Sequence, residues 1–496
     1  MPRPTISRST ITVPSWPEFC PPTSPETIRN VEYHQQVALF IRMDALLRTS
    51  GVETAFLQAR LAHQRAQRKR PMTPREAHRV LRRTRQLFRC HLLRTHYQLS
   101  VRRVSLLLVD QALWRAFCDL TEAQTPSKST LDRFAHALPE ATLRPCVDQL
   151  TQAAATPATA ETLSLAQPLL LDVAWFDTTC VPANIHYPVD WLLLRDAAIA
   201  LAQALACGRR HGLAVPDPRP AQRAMNHYCM TMAHVSRRPR DAAAARKPVV
   251  RAMNRLVRDL REQAEQALAL LAAPPATWTL PPGRTTQIAD RLRHVLTLLP
   301  RVLQQAHTRL LAEQPVDNAD KLLSLAEPTA QVIHRGKTGQ AAEFGHLLYL
   351  VEQVNGVILD WAFCETPVPD HVLVARRLPG LRATYPDQIH TAVTDRGCSS
   401  PAVRQYLRAH GMRDDTAPRG AKALAARQAD PTFRQHQCRR AQTEGRIGIL
   451  KNVFLGRPLR AKGFDYRALQ VTWAIFTHNL WVLARLPTAT DQQLAA

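Results

Sequence analysis

The chain has 496 residues, enough for two or three domains, and 45% of them are hydrophobic, which excludes a wholly disordered protein. Its 65 Lys and Arg residues against 40 Asp and Glu residues give a formal charge of +25. This surplus disfavours an ordinary metabolic enzyme and indicates a polyanionic partner, either nucleic acid or an anionic membrane surface. No apolar run is long enough to favour the membrane, and the ten scattered cysteines include no CxxC pair. The composition therefore predicts a nucleic-acid-binding protein of the reducing cytoplasm.

The N-terminal third of the chain has a helical pattern. Residues 1–30 are rich in Pro, Ser and Thr and are expected to form a disordered arm, whereas apolar residues recur at helical spacing over 31–150. Three successive short helices are predicted at 87–97, 100–113 and 127–138. Because these helices lie beside the basic run 65–89, they are as consistent with a DNA-binding bundle as with a purely structural one. The Ala- and Thr-rich stretch 153–162 is predicted to be a linker.

Strand patterns appear only after this stretch. The branched and aromatic residues of 169–181 predict a buried strand, and long helical patterns then fill 191–329. Asn355-Gly356 is a strong hairpin signal between two further apolar runs. The later strands are predicted at 344–352, 357–364 and 389–394, and two final helices at 439–454 and 466–486. The pattern predicts a mixed sheet that a helical insertion interrupts after its first strand.

Three acidic residues occupy places where a mixed sheet presents groups to ligands. Asp177 is placed at the end of the first strand, Asp395 at the end of a later strand and Glu444 in the penultimate helix. Converging carboxylates bind hard cations such as Mg²⁺, and two ions roughly 3.5–4 Å apart would clamp a phosphodiester displacement. Any one of the 40 acids taken alone is more often a solvated surface residue, and Asp172 is an obvious rival of Asp177.

Five sequence blocks surround these acids. Asp177 begins the block DTTCVPANIHYPVD, Asp395 begins DRG, and Glu444 begins EGRIGILK. The other two blocks are IHRGKTG with EFGH, within 333–346, and THNL at 477–480. In order and spacing the five blocks resemble DDE transposases of bacterial insertion sequences, in particular the ISNCY-type group.

The resemblance implies an α/β fold with a ribonuclease-H-like catalytic core built on a mixed sheet. Residues 165–190 and 330–490 would form this core. Residues 191–329 would be a large all-α insertion after the first strand, and 31–150 would be an all-α DNA-binding module that recognises terminal inverted repeats.

The same resemblance assigns roles to the three acids. Asp177, Asp395 and Glu444 become the catalytic and metal-binding triad, and Asp177 is favoured over Asp172 because it occupies the matching place. The implied cofactor is Mg²⁺ or Mn²⁺, as a pair of ions.

Basic residues near the triad are candidates for contact with DNA. Related transposases carry a Tyr-Arg-Glu-Lys signature around the last acid, which Arg440 and Lys451 match here, whereas Gln437 stands at the Tyr place. The spacing predicts that Arg440 and Lys451 share one helix face with the acid, across which phosphates would lie. Arg335 and Lys337, in the Arg-Gly-Lys turn, are further candidate phosphate ligands.

The predicted function is that of a transposase. It would bind transposon ends and catalyse metal-dependent DNA strand cleavage and strand transfer. Its partners would be terminal-repeat DNA, target DNA and further copies of the chain when bound to DNA, with no membrane involved. Two alternatives stay open: a decayed or domesticated DNA-binding protein without catalysis, and a metal-dependent nuclease without strand transfer.

Overall fold

The structure is a computed structural model that describes residues 13–235, 242–334, 342–456, 458–489 and 491. The described residues form two compact units. The first contains residues 13–181, 347–364 and those from 368 onwards, and the second contains 182–346 with 365–367.

The first unit begins with eight helices. These are α1 (Val31–Thr49), α2 (Val52–Ala66), α3 (Pro74–His96), α4 (Val101–Asp110), α5 (Ala112–Phe117), α6 (Lys128–Ala135), α7 (Glu140–Ala155) and α8 (Pro157–Thr162). The helix predicted at 87–97 is the second half of α3, which starts earlier at a capping box between Thr73 and Glu76. Helices α4 and α6 begin after Ser100 and Ser127, whose side chains cap them as the sequence predicts.

One prediction for this region is wrong. The expected linker 153–162 is helical, since it forms the end of α7 and the whole of α8, with Ala154 and Ala160 buried. Alanine is the strongest helix former, so an Ala-rich stretch continues a helix when its small side chains can pack. Residues 1–12 of the expected disordered arm lie outside the described residues, and in the rest of it Phe19 contacts Phe40 and Phe117 at ring-centroid distances of 6.1 and 5.9 Å.

The sheet contains six strands of both orientations, as the predicted mixed sheet requires. Its strands are β1 (Val173–Pro182), β2 (Gln331–His334), β3 (Ala342–Glu352), β4 (Ile358–Cys364), β5 (Thr391–Val393) and β6 (Arg413–Asp414). The order is β2-β3-β1-β5-β6, and β4 also pairs with β3. Strand β1 pairs with β5, and β5 with β6, in parallel, whereas β3 pairs with β2 and β4 antiparallel. Gly356 allows the predicted turn between β3 and β4 with a φ of +87°.

Helices of the C-terminal half complete the first unit. They are α13 (Asp370–Thr384), α14 (Pro401–Ala409), α15 (Ala421–Arg427), α16 (Pro431–Ile449), a π-helical segment (Leu450–Leu455) that continues α16, and α17 (Phe464–Leu483). Helix α17 lies at the centre of the core. The rings of Phe56 and Phe88 lie 5.9 and 5.6 Å from that of Trp473, so the N-terminal helices and α17 bury one aromatic cluster together.

The second unit is mainly helical. It contains α9 (Asp190–Arg210), α10 (Arg219–Val235), α11 (Ala242–Ala272) and α12 (Pro282–Ala306). Within the described ranges, α9 alone has the length and apolar composition that would suffice to cross a membrane. Its Leu194, Leu201 and Leu205 are fully buried among residues of α10, α11 and α12, which is the environment of a core helix.

Candidate functional site

Asp177 lies in the middle of β1 and not at its end, which corrects the prediction from sequence. Its side chain is 14% exposed, and its Oδ1 accepts a hydrogen bond of 2.7 Å from the N–H of Thr178. Burial raises the pKa of Asp177 to about 6, against the lowering effect of Thr178 and Arg440. The negative charges of Asp395 and Glu444 contribute a smaller part of this rise, so the three predicted acids lie close enough to interact.

Asp395 follows β5 by two residues, as predicted. In the parallel pairing of β1 with β5, Trp175 is level with Val393. Asp177 and Asp395 each lie two residues beyond that pair, so the register places both acids at the same height on adjacent chain segments. The N–H of Cys398 donates to the Asp395 carboxylate at 3.1 Å and fixes it in the turn.

The first half of α16 is held against the sheet by hydrogen bonds to backbone oxygens. The indole N–H of Trp175 donates to the carbonyl of His436 at 3.1 Å. The Gln437 amide donates to the carbonyls of Thr394 and Asp415 at 3.2 and 2.6 Å. Gln437, which departs from the Tyr of the transposase signature, therefore ties the helix to the end of β5.

The second half of α16 is held by a buried ion pair. Arg439 donates to the Glu352 carboxylate at 2.5 Å and lies over the Trp175 ring, 4.4 Å from its centroid. Thr443 donates to the same carboxylate at 2.8 Å. These contacts fix the rotation of α16 about its axis, so that Glu444 emerges 57% exposed beside the sheet.

Arg440 lies between two of the acids. Its Nη1 is 3.5 Å from Asp177 Oδ2, and its Nη2 is 4.0 Å from Glu444 Oε1. The prediction that Arg440 accompanies the last acid on one face is confirmed by this geometry, although its partner here is a carboxylate.

The chemistry of the acids suits a hard cation, but their present spacing does not form a metal site. Carboxylate oxygens are the ligands that Mg²⁺ prefers. Over the ranges that the structure describes, no group of three or more His, Cys, Asp or Glu side chains is arranged to hold a metal ion. Arg440 neutralises part of the acidic charge at the position where Asp177 and Glu444 approach each other.

The other predicted DNA contacts have different outcomes. Lys451 is 5% exposed and lies in the π-helical segment, where its Nζ donates to Thr179 Oγ1 at 3.2 Å. The expected exposed position of Lys451 is therefore wrong, because the change from α- to π-helical winding after Ile449 and the packing on β1 turn it inward. Arg335 and Lys337 lie outside the described residues.

Asp172, the rival acid, lies just before β1 and is exposed. Its carbonyl accepts the N–H groups of His390 and Thr391, both at 2.9 Å, at the opposite end of the β1–β5 pairing. Five residues of strand separate it from Asp177, about 16 Å at strand rise. The structure thus groups Asp177, and not Asp172, with the other two acids.

A fourth acid, Asp370, was not predicted from sequence. A Cβ built on Gly397 would lie 3.2 Å from Asp395 Oδ1 and 3.4 Å from Asp370 Oδ2, so both carboxylates border the same small space. Burial raises the pKa of the Cys398 thiol, and Asp395, Asp370 and Asp177 add to that rise. In the sequence Asp370 is merely an acid in the first turn of α13, a position that the helix dipole favours in any protein.

No family model, no curated protein and no solved structure matches this chain. The chemistry that the site could perform is therefore inferred from its residues alone. Four carboxylates and one guanidinium lie beside strands β1 and β5 of the mixed sheet, and one of the carboxylates has a pKa of about 6. Carboxylate oxygens are ligands of the type that hard cations prefer, and a guanidinium is a donor of the type that phosphates prefer.

Proposed function

We propose that this chain is a DDE-type transposase that binds transposon ends and catalyses metal-dependent strand cleavage and strand transfer. One observation carries the proposal. Asp177, Asp395 and Glu444 come from a strand, a turn and a helix that lie up to 267 positions apart in the chain (444 − 177), yet the charges of both later acids contribute to the raised pKa of the first. These are the acids that the five sequence blocks select.

The sheet order supports a ribonuclease-H-like core. Read through β4-β3-β1-β5-β6, the antiparallel pair lies on one side of β1 and the parallel pair on the other. The helical insertion follows the strand that carries the first acid, and α16, which carries the last acid, packs on the sheet through Trp175 and Gln437. This is the arrangement that the resemblance implies.

The chain contributes position and charge to the reaction. Asp177, Asp395 and Glu444 would hold the metal ions, which activate the attacking oxygen and stabilise the leaving oxygen when bound. Arg440 is placed to exchange its carboxylate partners for a DNA phosphate, since a guanidinium binds either anion through the same pair of N–H groups. Asp370 adds negative charge beside Asp395.

The charge of +25 supports DNA as the substrate. The proposed partners are terminal-repeat DNA, target DNA and further copies of the chain. The proposed place of action is the cytoplasm, at the nucleoid. Arg335 and Lys337 stay predicted phosphate ligands.

The first test removes one anionic oxygen at a time. Asp177→Asn, Asp395→Asn and Glu444→Gln should each abolish Mg²⁺- or Mn²⁺-dependent cleavage of end DNA while leaving DNA affinity within about threefold, because each change keeps the side-chain shape. Asp172→Asn is the matched control and should cleave normally. Cleavage by Asp177→Asn at the wild-type rate would refute the assignment.

The reaction products separate the alternatives. A transposase joins the freed 3′ end to target DNA, whereas a nuclease of the same metal site leaves cut ends only. A DNA-binding protein without catalysis would show neither product with any divalent ion, despite normal binding. Joined products that disappear in all three triad variants are the expected result.

A further inference from the structure

The helical hairpin formed by α2 and α3 carries a dense group of exposed cations. Residues 65–82, here called the basic hairpin, contain seven Arg and Lys residues and one acid, Glu76. All seven cations are exposed. The second half of α3 differs, because its Arg85 and Arg89 are buried and donate to Glu53. The basic run of the sequence therefore divides into an exposed group and a structural group.

The basic hairpin is supported by an apolar side. The two helices bury one hydrophobic cluster between them, formed by Leu57, Leu61, Ala77 and Leu81. A capping box fixes the start of α3. Arg75, Arg79 and Arg82 are spaced by four and three residues, so they share the face of α3 that points away from this cluster. The fold thus presents a row of arginines to solvent on a fixed support.

Few of these charges are neutralised. Glu76 is shared by Arg68 and Arg70, whose nitrogens lie 3.6 and 2.6 Å from its carboxylate. Arg82 lies 3.7 Å from Asp119. Within the part of the chain that the structure describes, the other four cations have no carboxylate oxygen within 4.0 Å, and they are Arg65, Lys69, Arg75 and Arg79. After both acids are counted, the basic hairpin keeps five positive charges (7 − 2).

Two of the cations disfavour the fold itself. Arg75 lies in the first turn of α3, where the positive end of the helix dipole repels a cation. Arg79 follows it by four residues, and like charges at this spacing repel each other on a helix. Farther along α3, Arg85 and Arg89 have the same spacing but are neutralised by buried carboxylates. Cations that oppose the fold and have no partner in it indicate an anionic partner outside the chain.

Duplex DNA fits this surface better than an anionic membrane does. A helix that binds a membrane surface inserts apolar side chains beside its cations. Residues 65–82 are all described, and none of their large hydrophobic side chains is exposed. From Arg75 to Arg82 the helix rises about 10.5 Å, and phosphates of one DNA strand follow each other at about 3.4 Å along the duplex axis. The row of arginines therefore spans about three phosphates.

We propose that the basic hairpin binds the phosphate backbone of duplex DNA through Arg75 and Arg79, assisted by Arg65 and Lys69. The inference rests on the proposed function only in taking DNA as the partner. The contact carries no sequence information, because it is made with phosphates and not with base edges. The basic hairpin anchors DNA of any sequence, and the discrimination of terminal repeats belongs to other residues.

The test measures the affinity for unrelated duplex DNA as a function of salt concentration, without divalent ions. Arg75→Gln combined with Arg79→Gln should make the slope of log affinity against log salt shallower by about 1.8, twice the value of about 0.9 expected for one lost phosphate contact. Arg75→Lys combined with Arg79→Lys should keep the wild-type slope, because both charges remain. The matched control is Arg404→Gln combined with Arg408→Gln, which removes two exposed arginines of the same spacing from α14. It should change the slope by less than half as much.

Thermal unfolding separates binding from stability. The glutamine double variant of α3 should melt at or above the wild-type temperature, because it removes the repulsion at the start of the helix. A slope that is unchanged in this variant, or reduced equally in the α14 control, would overturn the proposal. So would a lower melting temperature, because it would show that the two arginines stabilise the fold.

Vesicles of phosphatidylcholine and phosphatidylserine test the membrane alternative. At physiological salt the wild type should not sediment with them. If it does, and the glutamine double variant loses this binding but keeps the DNA slope, the basic hairpin binds a membrane and the DNA assignment is overturned. The slope is measured on unrelated DNA without a metal ion, so it does not depend on cleavage. A protein that shows the expected slopes but neither cuts nor joins end DNA would count against the proposed function alone.

Discussion

The environment of Asp177 disfavours the ionised form of its carboxyl group. Its pKa in the folded state is raised from the ordinary value of 3.8 to about 6, mainly by burial. The folded protein therefore holds this proton more tightly than the unfolded chain does. The resulting stabilisation is fully present below about pH 4 and is lost as the pH rises through about 6, so the ionised carboxylate opposes folding at neutral pH.

Asp177→Asn should consequently stabilise the fold at pH 8. A pKa rise from 3.8 to about 6 corresponds to about 3 kcal/mol, and the lost ion pair with Arg440 offsets part of it. Urea unfolding at pH 8 should show a gain of about 1–3 kcal/mol that shrinks towards pH 4. Asp172→Asn, at an exposed position, should change nothing at either pH. A variant less stable than wild type at pH 8 would contradict this account.

At the scale of single elements, α16 depends on residues outside the acid group. Glu352 is 2% exposed and accepts from both Arg439 and Thr443. Glu352→Gln should cost about 3–5 kcal/mol, the usual effect of removing one partner from a buried ion pair. It should also slow cleavage at a temperature where the variant is folded, because α16 can then rotate Glu444 away from Asp177. DNA affinity should stay the same, and the exposed Glu365→Gln is the control. Cleavage at the wild-type rate would show that the pair does not position Glu444.

Helix α3 contains part of the basic run that suggested DNA binding. Arg85 and Arg89 are almost fully buried, and both donate to Glu53, at 3.0 and 2.7 Å, while Arg89 also lies 2.7 Å from Asp44. These two arginines are therefore structural. For the other basic residues of 65–89, contact with DNA stays a prediction.

Glu53→Gln should destabilise the first unit by about 3–5 kcal/mol, because it leaves two buried guanidinium groups short of one counter-charge. Chemical unfolding at neutral pH measures the loss. Glu122→Gln removes a glutamate that pairs with Arg115 at an exposed position, and should cost less than about 1 kcal/mol. A small loss in both variants would mean that Asp44 and Asp119, the other acids that pair with Arg89 and Arg85, suffice to balance the two arginines.

At the scale of the whole molecule, the N-terminal helices belong to the same unit as α17 and strands β4, β5 and β6. A fragment of residues 1–150 lacks α17 and would expose Phe56 and Phe88, whose rings pack on Trp473. We expect this fragment to unfold without a cooperative transition and to bind a hydrophobic dye. The full chain should unfold cooperatively and should not bind the dye. Trp473→Ala in the full chain should lower the melting temperature of the unit. If the fragment unfolds cooperatively and prefers terminal-repeat DNA, the result would instead support the independent DNA-binding module predicted from sequence.

The sequence by itself determined features that depend on neighbouring residues. Alternating and continuous apolar runs predicted β1, β3, β4 and β5, and Asn355-Gly356 predicted the turn between two of them. Serine caps predicted the starts of α4 and α6. Block order selected Asp177 over Asp172, while the polyanionic partner that the charge predicts stays a prediction. All of these are local or additive properties of the chain.

Only the tertiary structure decided how the site is assembled. The register of β1 against β5 sets Asp177 level with Asp395, and packing on β1 buries Lys451. The same packing places Arg440 between two acids and brings Asp370 beside Asp395. The contacts of β1 with β5, with Lys451 and with Arg440 each join residues more than 200 positions apart, whereas the approach of Asp370 to Asp395 depends on the turn at Gly397. No local pattern encodes them, because they follow from which surfaces of the folded elements fit together.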